Sequence, residues 1–348
     1  MKKTRKSFRL TPRHARYYPY LIPIIYLLIL FILAYQVEDG IDNNNDFDLF
    51  DDDDMPLVCP SGIEFNKSNR RHLAIFVAPE FASFLWKNFH ALLCTGVNAY
   101  VMLNNTFDIN STTRADGFSA HTNRSIRSYT HRFLHIPNDE LAKYGVSYMT
   151  KFPRTQYTSW ERTIVWLYHQ RYLKTVWVMD YRLQWFHVQN LTDFFNFYDS
   201  DTNDILCAGI VPTDSTQWQQ WPKKESDIFP KSYWMGTFSP LVRWSRRLLL
   251  HHYQYMQLMH ENRLGYEIDL SFRFKEFLLA TIANIEKLSI AVYNEKYPSI
   301  HIDLRYHNDT EILTLLRDRK HLIYPVISES ILTKYPIEEI VKMINEKK

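Results

Sequence analysis

The residues best placed to do chemistry in this 348-residue chain stand at the end of one apolar run. Residues 174–180, K-T-V-W-V-M-D, close abruptly on Asp180, and Tyr181 and Arg182 follow it. A carboxylate that emerges from a dry strand could hold a divalent cation through its oxygens, and the cation could bridge a nucleotide diphosphate. It could equally be a strand-terminal acid that caps the next turn. A second pair, Asp199 and Asp201 in D-S-D, has D-x-D spacing but follows no apolar strand, and it reads as a surface turn. Trp218, Trp221 and Trp234 could offer flat faces to sugar rings, or could be core in a chain with 9 Trp, 23 Tyr and 22 Phe. Arg243 and Arg246 could contact a diphosphate; the preferred reading has them facing solvent. His301, in H-I-D-L, could supply a late metal or phosphate contact.

The elements that would position these residues alternate between strand and helix. Residues 72–78 (H-L-A-I-F-V-A) suit a buried parallel strand. Pro79 opens a helix over 80–94, and Gly96 sits where a helix-ending glycine belongs. Residues 97–103 form a second strand, which completes a β-α-β opening. Residues 104–150 are polar and read as a glycosylated excursion. T-S-W-E, with Thr158 as cap and Glu161 three positions on, starts a helix over 159–172 that leads into the Asp180 strand. Further strands are expected at 204–211, 232–238 and 287–292. Ser239-Pro240 would cap a helix to about residue 262, with Leu241, Trp244, Leu248, Tyr255 and Met259 on one face. Another helix is expected over 267–283, and two short helices around Pro325 and Pro336 over 309–348. The fold class is therefore α/β, with a Rossmann-like, mostly parallel sheet.

The formal charge of +3 hides an asymmetry. Residues 1–37 carry seven bases and no acid, residues 38–55 carry nine acids and no base, and residues 56–348 keep +5. Residues 17–37 are an uncharged stretch rich in Leu and Ile, and about 20 such residues cross a bilayer as a helix. The basic flank stays cytosolic by the positive-inside rule, so the bulk of the chain is expected in the lumen. A cleaved signal peptide would have a shorter apolar core and a small-residue cleavage site, so the stretch is read as an uncleaved anchor. This gives a cytosolic tail (1–16), a transmembrane anchor in the lipid bilayer (17–37), an acidic stem (38–70), a globular domain (71–308) and a helical extension (309–348). Six N-x-S/T sequons, at Asn66, Asn104, Asn110, Asn123, Asn190 and Asn308, all follow the anchor. Cys59, Cys94 and Cys207 allow one disulfide and one leftover thiol, with the pairing open.

Taken together, the type II anchor, acidic stem, β-α-β start, capped helix and W-V-x-[ED] strand make an ordered series. An I-V-P strand end, a Trp-rich loop and F-S-P-L-V-R-W-S-R-R-L-L-L continue it. Over residues 72–305 this order resembles the Golgi-type, GT-A-fold nucleotide-sugar glycosyltransferases. The resemblance implies a GT-A-like domain in the Golgi or ER membrane, a nucleotide-sugar donor, and a glycan or glycoprotein acceptor. Where the family's core strand reads W-V-I-E-D-D-V, this chain has Asp180-Tyr181-Arg182, so Tyr and Arg replace the two metal-binding acids. The Mn2+ or Mg2+ that the family implies is thereby in doubt, and Arg182 could neutralise a leaving diphosphate instead. The resemblance also matches Glu267, with Asp269 nearby, to the acid that lies near the acceptor and could serve as base. The loss of the acidic pair equally fits a catalytically inactive relative that binds glycans or acts as a scaffold.

Other classes are excluded by what is missing. The chain has 8 Gly, against roughly 7% in average proteins, and no two are closer than Gly96 and Gly117. A P-loop, a dinucleotide-binding turn and a nucleophile elbow all need clustered glycines. His260-Glu261 lacks the second His of a zincin, and the chain has no C-x-x-C. No basic stripe with interleaved aromatics points to nucleic acid. Pro79-Glu80-Phe81 stands where a sulfotransferase would need a phosphate loop.

Overall fold

The structure, a computed structural model, describes residues 59–60, 62–105, 126–146, 159–213, 221–222, 225–261, 275–293, 297, 299–326, 332, 335 and 337–346. All of them belong to one compact unit. The anchor at 17–37, the acidic run, Thr158, Trp218, Glu267, Asp269, Asn110 and Asn123 lie outside the described residues. Among the described residues no helix is long and apolar enough to cross a membrane.

The chain opens with β1 (Leu73–Ala78), α1 (Ser83–Cys94) and β2 (Asn98–Leu103). Both strands are buried along their whole length, which is why they read as unbroken apolar runs. The helix ends where Thr95 and Gly96 donate back to Leu92 O and Leu93 O. Gly96 has φ +94°, and a Cβ there would collide with the carbonyl oxygen of Asn66. Cys59 and Cys94 form a disulfide with Cα atoms 5.6 Å apart, while Cys207 is a buried free thiol. The segment before β1 is thus fastened to the end of α1.

A two-residue strand, β3 (Phe133–Leu134), follows, then α2 (Ser159–His169), β4 (Thr175–Asp180), β5 (Gln184–Trp185) and α3 (Val188–Phe197). Next come β6 (Ile205–Cys207), β7 (Gly209–Pro212), β8 (Met235–Phe238), β9 (Leu241–Ser245), α4 (Arg246–Glu261) and α5 (Lys275–Ile285). The remaining elements are β10 (Ile290–Val292), β11 (Ile300–His307), α6 (Asp309–Arg317), β12 (Leu322–Val326) and α7 (Ile337–Glu346).

The main sheet has the order β10-β6-β9-β4-β1-β2-β3. β9 runs antiparallel to both neighbours, and every other pairing in this sheet is parallel. The mixed α/β, mostly parallel and Rossmann-like character expected from the sequence is therefore present. Helices α1 and α3 cover one face, where Leu85, Phe89, Leu191 and Phe194 pack against Phe76, Val101 and Trp177. Trp177 stacks on Phe195 at 4.8 Å between ring centroids. Helices α2 and α4 cover the other face, through contacts such as Tyr100 with Trp166 and Trp244 with both Trp160 and His252. Two small sheets flank it: β11-β12-β5, and the hairpin β7-β8.

Three expectations are corrected. Residues 241–245 are not the start of a helix but the strand β9; the helix begins at Arg246, and Ser245 Oγ caps it by accepting from Leu248 N at 3.1 Å. The apolar run 204–211 is two strands in different sheets, broken at Ala208. Residues 309–348 hold a strand between two helices, because Leu322–Val326 pairs with β11 and β5 and carries Pro325 inside it.

Candidate functional site

From β1 the chain moves outward to β2 and β3, then returns to place β4 on the other side of β1. The order therefore reverses between β1 and β4, and in open α/β sheets ligands lie in the crevice at the carboxyl ends of such strands. Those ends are Ala78 and Asp180, with Val77 directly opposite Asp180. The Asp180 N–H donates to Pro240 O at 2.7 Å and the Tyr181 N–H to Val77 O at 3.3 Å, so the chain stays sheet-bound until it turns.

The turn is built by the acid itself. Asp180 Oδ1 accepts from the backbone N–H of Arg182 at 3.0 Å and from its Nε at 2.8 Å, and Oδ2 accepts from Nη2 at 2.7 Å. Leu183 N closes the turn on Asp180 O at 3.0 Å. The same Nη2 donates to the Tyr324 hydroxyl at 2.7 Å, and the guanidinium lies over the Tyr324 ring at 5.3 Å. Tyr181 packs on Phe84 of α1. Beyond the turn, Gln184 accepts from Asn88 at 3.1 Å, and β5 pairs with β12. The Asp180 side chain is 7% exposed and that of Arg182 31%. A buried acid thus fixes a partly exposed guanidinium at the carboxyl end of β4.

These residues do not fit a Mn2+ or Mg2+ ion. Such an ion needs several oxygen ligands, yet both Asp180 oxygens accept from a guanidinium, whose charge would repel it. No three His, Cys, Asp or Glu side chains converge on a metal position among the described residues. What the cluster holds is a fixed, permanently charged guanidinium whose Nε and Nη2 are engaged by Asp180; cations of this kind pair with phosphate oxygens.

The other expected site residues are dispersed. Arg243 is buried, not solvent-facing. It donates to Tyr198 O, Asp201 O and Asp201 Oδ1, each at 2.6 Å, and to Asn203 O at 3.3 Å. It therefore neutralises the carboxyl end of α3, where carbonyls lack intrahelical donors. Asp201 is its partner, and Asp199 lies on the surface against Arg71 at 3.1 Å. Arg246 caps α2 through Leu167 O at 2.9 Å. Because β9 is antiparallel and Ser245 faces Thr175, Arg246 sits at the far end of β4, about 17 Å of strand away from Asp180. Trp234 is core, its Nε1 donating to Phe229 O at 2.8 Å, and Trp221 stacks against it. His301 belongs to the opposite face of the small sheet. Its neighbours Ile300 and Ile302 join Tyr324 in the main core, whereas His301 pairs with Ile323 of the C-terminal cluster and meets the His307 ring edge-on.

Sequence reasoning missed Tyr324, which stands 142 positions from Arg182. It also missed His135 at the carboxyl end of β3, and it named Asn104, at the end of β2, only as a sequon. His135 Nδ1 donates to Leu103 O at 3.2 Å, and burial chiefly, with the Arg162 charge, pulls its pKa below the ordinary value against that bond. A strand of two residues such as β3 leaves no local signal that would have marked His135 as an edge residue. No protein-family model and no curated protein sequence matches the chain.

Proposed function

We propose that the chain is a GT-A-like glycosyltransferase of the secretory pathway, transferring a sugar from a nucleotide-diphosphate sugar to a glycan or glycoprotein acceptor. The observation that carries this reading is the Asp180–Arg182–Tyr324 cluster at the carboxyl edge where the strand order reverses. There the donor diphosphate meets Arg182, oriented by Asp180 and Tyr324, instead of a divalent ion. Glu267, or Asp269 beside it, is the group assigned to take the acceptor proton. The Cys59–Cys94 disulfide supports a lumenal setting, since disulfides are rare in reducing compartments. So do the charge asymmetry around residues 17–37 and the sequons beyond them. The placement that follows is a single-pass type II protein of the Golgi or ER membrane.

A second reading is favoured by one observation, the closure of Asp180 on Arg182: the protein keeps the fold and binds glycans, or serves as a scaffold, without turnover. Calorimetric titration of the full chain with a panel of nucleotide-diphosphate sugars, in EDTA and in Mn2+, separates the two. Binding that is equal in both conditions and lost in Arg182→Ala supports the transferase. No binding in either condition overturns it.

A further inference from the structure

Three sequons have an asparagine whose side-chain hydrogen bonds are defined in the folded chain, and they fall into two groups. Asn66 is exposed, and its Oδ1 accepts from the N–H of Ser68 at 3.0 Å and from Ser68 Oγ at 2.8 Å. Asn308, also exposed, caps α6: its Oδ1 accepts from Glu311 N at 3.0 Å, and its N–H donates to Glu311 Oε2 at 3.1 Å. In both, the folded chain uses Oδ1 and the backbone, and a substituent on Nδ2 would leave each of those bonds in place.

Asn190 differs. It is half-buried in the first turn of α3, where its Oδ1 accepts from His187 N at 3.0 Å while its Nδ2 lies 3.2 Å from His321 Nδ1. Thr192, the hydroxyl residue of the same sequon, is fully buried and bonds to Gln189 O at 3.0 Å. His321 is in turn locked into the sheet connection by Phe186 N and Ser299 O, directly ahead of the strand that carries Tyr324. A sugar on Asn190 Nδ2 would have to displace His321 and, with it, the start of β12.

We propose that Asn66 and Asn308 carry N-linked glycans in the folded protein and that Asn190 does not. The assignment rests on the lumenal placement proposed above. Attachment forms a bond from Nδ2 to the anomeric carbon of a lipid-diphosphate-linked oligosaccharide; the lipid diphosphate leaves, and Nδ2 gives up one proton. The glycans then stand one on the disulfide-fastened segment and one at the start of α6.

The test expresses the full chain in a eukaryotic cell. Glycopeptidase release in heavy-oxygen water, followed by peptide mass spectrometry, reads occupancy at each sequon, and protease protection of intact microsomes reads topology on the same sample. The expected result is label at Asn66 and Asn308 in most of the protected protein and essentially none at Asn190. Asn190→Gln would then leave the mass of the glycoprotein unchanged, whereas Asn66→Gln and Asn308→Gln each remove one glycan. Label at Asn190 in protected, folded protein overturns the assignment alone, as do bare Asn66 and Asn308 in protected protein. A chain that is bare throughout and digested outside the microsomes overturns the assignment together with the lumenal placement.

Discussion

Two aspartate–arginine pairs in this protein use the same chemistry in different surroundings. Asp201 and Arg243 meet where β9 passes the end of α3; the arginine side chain is 3% exposed and also holds three backbone carbonyls. Asp180 and Arg182 meet at the carboxyl edge of β4; there the arginine is 31% exposed and its further partner is a tyrosine hydroxyl from a distant strand. The first pair is enclosed by structure that needs its charge. The second is held by its partners but stays partly exposed. The difference shows that an arginine's role follows from what surrounds the guanidinium, and the spacing of residues in the sequence does not disclose it.

The comparison can be broken most directly at the enclosed pair. Arg243→Met should cost about 3–5 kcal/mol, because Asp201 and the α3 carbonyls would lose a buried cation; urea unfolding measures it. A loss under about 1 kcal/mol would mean that the pair is not structural. His252 sharpens the point from the other side. It is a buried base in α4 with no carboxylate facing it among the described residues, and burial lowers its pKa to about 4. Since the folded pKa lies below the ordinary 6.5, the unfolded chain takes up the proton first on acidification. Stability is therefore complete above pH 6.5 and falls toward pH 4, by on the order of 3 kcal/mol. Thermal unfolding of His252→Leu across that window should give a flatter profile than the parent; an unchanged slope would contradict the buried, neutral histidine.

At the edge pair the expected balance is reversed. Arg182→Met should cost about 1.5–3 kcal/mol of stability, the worth of hydrogen bonds to a charged group, while weakening nucleotide-diphosphate binding at least tenfold. Tyr324→Phe, which removes one partner of the same guanidinium, should show a smaller change of the same kind. An Arg182 variant that loses as much stability as Arg243→Met yet binds nucleotide diphosphate as the parent does while folded would erase the distinction drawn here. The smallest effect belongs to Asp199→Asn. Its pair with Arg71 is nearly half exposed on both sides, and such pairs contribute about 0.2–1 kcal/mol; a larger loss in urea would make Asp199 more than a surface acid.

Much of the fold was legible because it is written locally. The β1-α1-β2 opening shows an unbroken apolar run, a helix start and a glycine stop, and Asp180 was singled out because the run before it ends on an acid. The strand β9 was not legible. L-V-R-W-S is buried on both faces and joins α4 with no intervening turn, so its apolar positions continue the helical spacing and periodicity alone cannot separate them. The break at Ala208 was hidden for a related reason: one apolar run serves two sheets. Arg243 read as solvent-facing because its acceptors lie about 40 positions away in the chain, and Tyr324 entered the site through a strand pairing that no local pattern announces. For Asp180 the sequence left a metal ligand and a turn cap equally open; in the fold its carboxylate caps the turn.

The central claim is that the β4 edge, and not the enclosed pair, receives the anionic ligand. Hydrogen–deuterium exchange of the full chain, with and without saturating nucleotide diphosphate in EDTA, tests it most directly. The account predicts slowed exchange in peptides covering residues 77–82 and 180–185, with residues 198–206 unchanged. Protection confined to residues 198–206, or none anywhere under conditions where calorimetry shows binding, would contradict it.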